Sequence, residues 1–366
     1  MFLFELKLIL KQRLKYIKQM IPKKIIFLAL VIASCKSIKQ VPEPTISILK
    51  IDTLLIDKIS IRAIEVTSDK VYYAANENRV GIINLKTRSK NEIKVQADSL
   101  KIEFRSCAKT ASSFFALSIS NPALLYQFSD DLSEKKLVYK EVHENVFYDS
   151  MKFYDDKNGI AIGDPIDGHI SIITTKDGGQ TWIKNVLENS PKLVDGEAFF
   201  AASNTNIVLK NNSTFLFSGG KKAQMFISFE KGKTWATKNC PIIQGEAMTG
   251  VFTADFYNDK IGIIAGGNYD KPLQNSSNKA ITIDSGNTWT LVANNQGFGY
   301  SSCVQFFPKS KNNIISVGLT GIHISSDFGT TWTKVSTDET LYTVRFIDKN
   351  RAIAAGKNKI IQITFQ

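Results

Sequence analysis

Four stretches of the chain align without gaps: Thr175-Lys-Asp177-Gly-Gly179-Gln-Thr181-Trp182, Ser228-Phe-Glu230-Lys-Gly232-Lys-Thr234-Trp235, Thr282-Ile-Asp284-Ser-Gly286-Asn-Thr288-Trp289 and Ser325-Ser-Asp327-Phe-Gly329-Thr-Thr331-Trp332. All four tryptophans of the 366 residues stand at the last position of this pattern. Each stretch reads as a tight turn. The acidic side chain accepts backbone N–H bonds, the glycine takes a conformation closed to other residues, and the tryptophan packs over the turn. Asp177, Gly179, Trp182, Glu230, Gly232, Trp235, Asp284, Gly286, Trp289, Asp327, Gly329 and Trp332 are therefore assigned to structure and not to catalysis.

A second repeat surrounds the first. Met151-Lys-Phe153 to Gly163, Ala254-Asp-Phe256 to Gly266, Val344-Arg-Phe346 to Gly356 and Ile64-Glu-Val66 to Asn76 each show an alternating strand, a polar turn and another strand. Period-two alternation between turns marks half-buried antiparallel strands. First strands start near Ser60, Phe104, Phe147, Gly196, Met248, Tyr300 and Leu341, at spacings of about 41 to 52 residues, the length of a four-stranded blade. The expectation is an all-β chain, a seven-bladed β-propeller of four-stranded antiparallel blades. After Leu341 only three strands fit, so Thr45 to Asp52 is expected to supply the last blade's fourth strand and close the ring. Ser129 to Ser133 reads as a decayed copy of the turn.

The start of the chain reads as an export leader. Lys23-Lys24, the apolar run Ile25 to Ile32 and the small residues Ala33-Ser34 before Cys35 have the three parts of a secretory signal. The run is about eight residues, against about 20 for a membrane-spanning helix. Residues 1–34 are expected to be removed, with the leader starting at Met1 or at Met20. Residues 35–44 read as a polar, proline-containing tether, and 45–366 as the propeller.

Composition excludes other classes. The chain has 43% hydrophobic and 22% charged residues, which is ordinary for a globular protein and not for a disordered or polytopic one. Residues 1–34 carry seven basic residues against one acid and so hold +6 of the +12 net charge. The remainder shows no basic run or RNA-binding signature, which argues against a nucleic-acid partner. Cys107, Cys240 and Cys303 are widely spaced and read as buried apolar residues. His143, His169 and His323 are scattered, so no metal site is expected, and no motif calls for a cofactor.

From about residue 58 onward the chain resembles the bacterial Asp-box (BNR-type) propellers grouped with the photosystem II stability/assembly factor-like proteins. The matching residues are Ser60-Ile-Arg62-Ala-Ile64, Phe104-Arg105, Asp149-Ser-Met151-Lys-Phe153, Gly159 to Pro165, Gly196-Glu197-Ala198 to Ser203 and Gly299-Tyr300-Ser-Ser302, together with the four turns. Some members carry the label "oxidoreductase". No dinucleotide fingerprint, redox cysteine pair or flavin site in this sequence supports that label. The Ile32-Ala33-Ser34-Cys35 ending resembles a lipobox, which implies lipidation of Cys35. The implied location is the cell envelope, periplasmic or outer-membrane associated, for a monomer anchored by lipid.

The innermost strand of each propeller blade lines a central channel, and the longer irregular loops, Asp164 to Gly168, Glu188 to Gly196, Ser218 to Lys222, Cys240 to Ala247 and Gly267 to Asn278, fall on the face opposite the repeated turns. Loops gathered on one face of a rigid scaffold are the usual place for binding residues. The channel entrance on that face is expected to collect Arg62, Arg105, Asp149, Glu197, Thr249, Ser301, Ser302 and Thr343, with Asp164 and Tyr300 close by. Guanidinium groups there suit carboxylate or phosphate. The favoured function is a non-catalytic module that binds a protein or glycan partner. The alternative is a sialidase-like glycoside hydrolase in which Asp149, Glu197 and Asp164 supply the carboxylates.

Overall fold

The computed structural model describes residues 46–96 and 100–366. The expected leader, Cys35 and the tether lie outside the described residues. Thr45–Gln366 forms one compact unit, and no helix among the described residues is long and apolar enough to cross a membrane.

Alternating sequences become antiparallel strands throughout, grouped into six hydrogen-bonded sheets. Four sheets have four strands each, for example Phe104–Lys109, Ser113–Ser118, Ala123–Ser129 and Lys135–Glu141, paired in chain order. Two have six. In one of these, Ile48–Val66 and Arg351–Phe365 each run through two pairings: Ile48 to Ser60 lies against Phe365 to Lys357, and Ile61 to Val66 against Ala75 to Val71. The sequence pattern counts seven blades where hydrogen bonding draws six sheets: Ile48–Val66 runs without a break from one pairing to the next, and Arg351–Phe365 folds back on itself, the Phe365 amide bonding Asn350 O at 2.8 Å. The fold is a β-propeller of four-stranded antiparallel blades.

Apolar clusters fill the spaces between blades. One joins Tyr72 and Val80 to Phe104 and Phe114. Another joins Phe115 and Leu125 to Met151 and Ile173. A third lies inside the six-stranded sheet itself, where Ile353 and Ile360 pack on Val71 and Tyr73. Cys107, Cys240 and Cys303 are buried free thiols in such clusters, as their spacing suggested.

The four repeated stretches fold as one kind of turn. Gly179, Gly232, Gly286 and Gly329 have φ of 83°, 82°, 78° and 81°, the left-handed region open to glycine. Their amides donate to the Thr175, Ser228, Thr282 and Ser325 hydroxyls at 2.8–2.9 Å. Asp177, Asp284 and Asp327 accept the amides of Thr181, Thr288 and Thr331 at 3.0, 2.9 and 2.9 Å. Glu230, one methylene longer, holds only the Thr234 hydroxyl, at 3.3 Å. The Ser129 to Ser133 copy keeps the acid's role, with Asp131 accepting from Ser129, Ser133 and the Ser133 amide.

The fourth blade departs from the sequence expectation. Gly196 does not open a long inner strand. Glu197–Ala198 is a two-residue strand paired with Gly219–Gly220, and the inner strand is Ile207–Lys210. The residues between, Phe199 to Asn206, make no ladder.

Candidate functional site at the channel mouth

In five first strands one residue is skipped by the pairing register, and it stands at the equivalent position each time. Pairing passes from Ile61 to Ala63 around Arg62, from Phe104 to Ser106 around Arg105, and from Ser150 to Tyr148 around Asp149. It passes from Val251 to Thr253 around Phe252, and from Leu341 to Thr343 around Tyr342. A β-bulge kinks its strand and re-aims the extra side chain, here at the end where the chain enters each blade. By strand polarity this end shares a face with the connections between second and third strands, away from the repeated turns.

The sixth blade offers Ser302 near this position, its amide bonded to Val317 O at 2.9 Å. In the fourth blade the equivalent stretch crosses the channel. Ala201 to Asn206 are all at most 6% exposed. Their hydrogen bonds reach every other blade. The Ala202 carbonyl accepts from Arg62 at 3.4 Å, and the Asn204 amide donates to Cys107 O at 2.7 Å while its oxygen accepts from Met151 N at 2.9 Å. Ser150 donates to Asn206, and Thr205 Oγ1 to Thr253 Oγ1 at 2.8 Å. Ser203 donates to Ser302 O at 2.6 Å, and its carbonyl accepts from Arg345 at 2.9 Å and Thr343 at 3.3 Å. The axial channel is closed by this plug, so the mouth is a cup with a floor.

The expected entrance residues divide accordingly. Arg62 is half-buried, its guanidinium carbon 4.1 Å from the Tyr342 ring centroid, and its Nε has no hydrogen-bond partner among the described residues. Half-buried Arg105 is paired with Glu103 at 2.7 Å. Asp149 is 0% exposed, and neither carboxyl oxygen has a hydrogen-bond partner of ordinary geometry. Burial, then the neighbouring Asp164, push its carboxyl well above the usual range, against the pull of Arg105 and the Ala201 amide. Asp164 is pushed up to about 6 by burial, although it accepts the Phe199 amide at 2.8 Å. These two carboxyls therefore sit beside the first residues of the plug.

Six of the expected entrance residues are buried and engaged within the protein. Glu197 is buried and spent on the Val194 amide at 3.0 Å and the Ser218 hydroxyl, its carboxyl raised by burial. Thr249 is buried and ties Glu246 O and Gly220 O. Ser301 is buried against Ser316, and Thr343 is bound to the plug. Ser302 is buried with its hydroxyl 3.4 Å from that of Tyr300. Tyr300 is itself buried as an aromatic support, its phenol raised by burial. Two residues missed in the sequence, Phe252 and Tyr342, hold the bulge positions instead. Lining up Ile61-Arg62-Ala63, Tyr148-Asp149-Ser150, Val251-Phe252-Thr253 and Leu341-Tyr342-Thr343 would have found them.

Beside Arg62, whose bonded Ala202 packs in the same cluster, Phe200 stacks on Phe252 with centroids 3.8 Å apart, Phe252 meets Tyr300 edge-on at 4.8 Å, and Tyr300 meets Tyr269 at 5.2 Å. The arrangement can bind a group that is anionic on one side and apolar on the other. Among the described residues, no three His, Cys, Asp or Glu side chains converge to hold a metal. For hydrolysis, Asp149 has no surface at which to meet a substrate and Glu197 is engaged elsewhere.

No family model matches the chain, and no curated protein matches it. Solved structures do. A structure of YCF48 bound to D1 peptide is 12% identical with a TM-score of 0.62, over 87% of this chain and 99% of that one. YCF48 from Cyanidioschyzon merolae is 11% identical with a TM-score of 0.60, over 86% and 98%. The RRP9 WD40 repeats are 10% identical with a TM-score of 0.59, over 88% and 100%. At such identities the likeness is one of fold, and in fold this chain is similar to the YCF48 and WD40 propellers over nearly all of their length.

Proposed function

We propose that the chain is a non-catalytic, exported and lipid-anchored propeller whose mouth face binds a segment of a partner protein. The observation that carries this reading is Arg62, a partly exposed guanidinium stacked on Tyr342 at the bulge position, with no carboxylate among the described residues within ion-pair distance and only a long bond, 3.4 Å, to the Ala202 carbonyl. A partly exposed guanidinium without an acidic partner, held in a fixed orientation, suits an incoming carboxylate or phosphate. That YCF48, similar in fold, has been solved with a D1 peptide favours a polypeptide over a glycan.

The blade count belongs to this proposal. We count seven, treating the six-stranded sheet that holds Ile48–Val66 as two blades joined by that strand. Support comes from the apolar cluster between its two halves, which matches those between the other blades. In this reading Ile48 to Ser60 closes the ring on the last blade, and the repeated turns are Asp-boxes. Export rests on the basic start, apolar run and Cys35 of the leader.

Photo-crosslinking from a benzoylphenylalanine in place of Tyr269 in the full chain, in intact cells, tests the function. A protein adduct is expected from this position, absent from Lys238 on an outer strand, and lost in Arg62→Gln. Equal adducts from Lys238, or adducts unaffected by Arg62→Gln, would refute it. The glycosidase alternative is tested with chromogenic glycosides. Turnover abolished by Asp149→Asn or Glu197→Gln would replace the proposal.

A further inference from the structure

Among the described residues, one apolar cluster does not lie between blades. Phe252, Tyr300 and Ala202 are buried, and Phe200, Tyr269 and Leu319 pack on them with part of their surface in solvent. Its members come from the plug, from the bulge of one blade, from the connections after the second strands of two blades, and, for Tyr300, from the segment that leads into the strand Cys303–Phe306. The rings meet stacked and edge-on at 3.8 to 5.2 Å, so the surface is rigid before anything binds. Rigid aromatic surface around a sheltered floor is what anchors a partner side chain, because little rotamer freedom is lost on binding.

The same floor carries the charged subsite. Ala202 packs in the aromatic cluster, and its carbonyl holds Arg62 at 3.4 Å. Phe200 is two residues earlier, so the two subsites lie within roughly 10 Å of each other. An extended chain advances about 3.3 Å per residue and covers that span in about three residues. Because the plug closes the axis, a partner lies across the cup and does not thread it.

Resting on the mouth as the binding face, we infer that the occupant is an extended polypeptide segment that seats an aromatic or large aliphatic side chain on Phe200, Tyr269 and Leu319. An acidic group about three residues away meets Arg62. The pairing is argued from charge complementarity at Arg62 and from its continuity with the aromatic floor.

The test pans a phage-displayed random dodecapeptide library against the full chain and measures affinities of enriched peptides by fluorescence polarisation. Tyr269→Ala and Leu319→Asp, both at partly exposed positions, probe the aromatic subsite, and Arg62→Gln probes the mouth. Circular dichroism verifies that each variant is folded. The expected peptides combine an aromatic or aliphatic residue with an acid two to four positions away. Their affinity should fall about tenfold in each of the three variants. Peptides weakened by Arg62→Gln but indifferent to Tyr269→Ala and Leu319→Asp would overturn the aromatic subsite and leave the mouth standing. Peptides indifferent to all three variants, or no enrichment, would overturn both.

Discussion

Replacing Asn204 by alanine should destabilise the propeller far more than one polar residue in a loop would suggest. Asn204 sits in the plug at φ 61° and is 0% exposed. Its side chain makes two bonds to different blades, donating to Cys107 O at 2.7 Å and accepting from Met151 N at 2.9 Å. Alanine leaves a buried carbonyl and a buried amide unpaired, at about 1–3 kcal/mol each. The left-handed conformation, tolerated by asparagine, adds about 1 kcal/mol for alanine. The expected loss is about 3–7 kcal/mol, a large share of the 5–15 kcal/mol typical of whole proteins. Urea unfolding of the full chain, followed by the fluorescence of its four tryptophans, measures it. Asn204→Gly relieves the backbone term but not the two bonds, and should recover only about 1 kcal/mol. A loss below about 1 kcal/mol in both variants would show that the segment does not tie the blades together.

Two further predictions concern protons and the chain's start. Asp164 binds its proton more tightly folded, at about 6, than unfolded, so its contribution is fully present below pH 4 and is lost as pH rises through 6. The whole shift is worth about 3 kcal/mol at 1.36 kcal/mol per unit, of which about 2 kcal/mol is lost between pH 4 and pH 7. In Asp164→Asn, which keeps an acceptor for the Phe199 amide, urea stability should not show it, and parallel pH profiles for the two proteins would refute the assignment. The turn aspartates oppose this at lower pH, since Asp177 and Asp131 are held near 2 and lose stabilisation as pH falls through that value. Separately, cells fed an alkyne fatty acid should label the protein through Cys35, with the label absent in Cys35→Ser. Persistence of label in that variant would refute lipidation at this residue.

Much of the scaffold was legible because its signals are local. Thr175, Asp177, Gly179 and Thr181 specify one turn among themselves, through bonds that span at most four residues. The strands around them follow from alternation alone. The site was legible only in part. Arg62, Arg105 and Asp149, named from the sequence, fall at the bulge position, whereas in two other blades Phe252 and Tyr342 hold it and not the expected Thr249 and Thr343. A bulge shifts register by one residue, and in a strand one residue reverses which face a side chain takes. Glu197 was misplaced for another reason. Its segment resembles a first strand but leaves the ladder to form the plug.

By itself, the sequence determined the repeat, the turns and the strand alternation, because each depends on residues close together in the chain. Tertiary structure alone decided that the channel is closed, which bulge residues face the mouth, and that Asp149 is sealed away from solvent. Those outcomes depend on contacts between blades up to 142 residues apart, such as Arg345 with Ser203. No local pattern encodes such contacts, because each one exists only after the blades have gathered around a common axis.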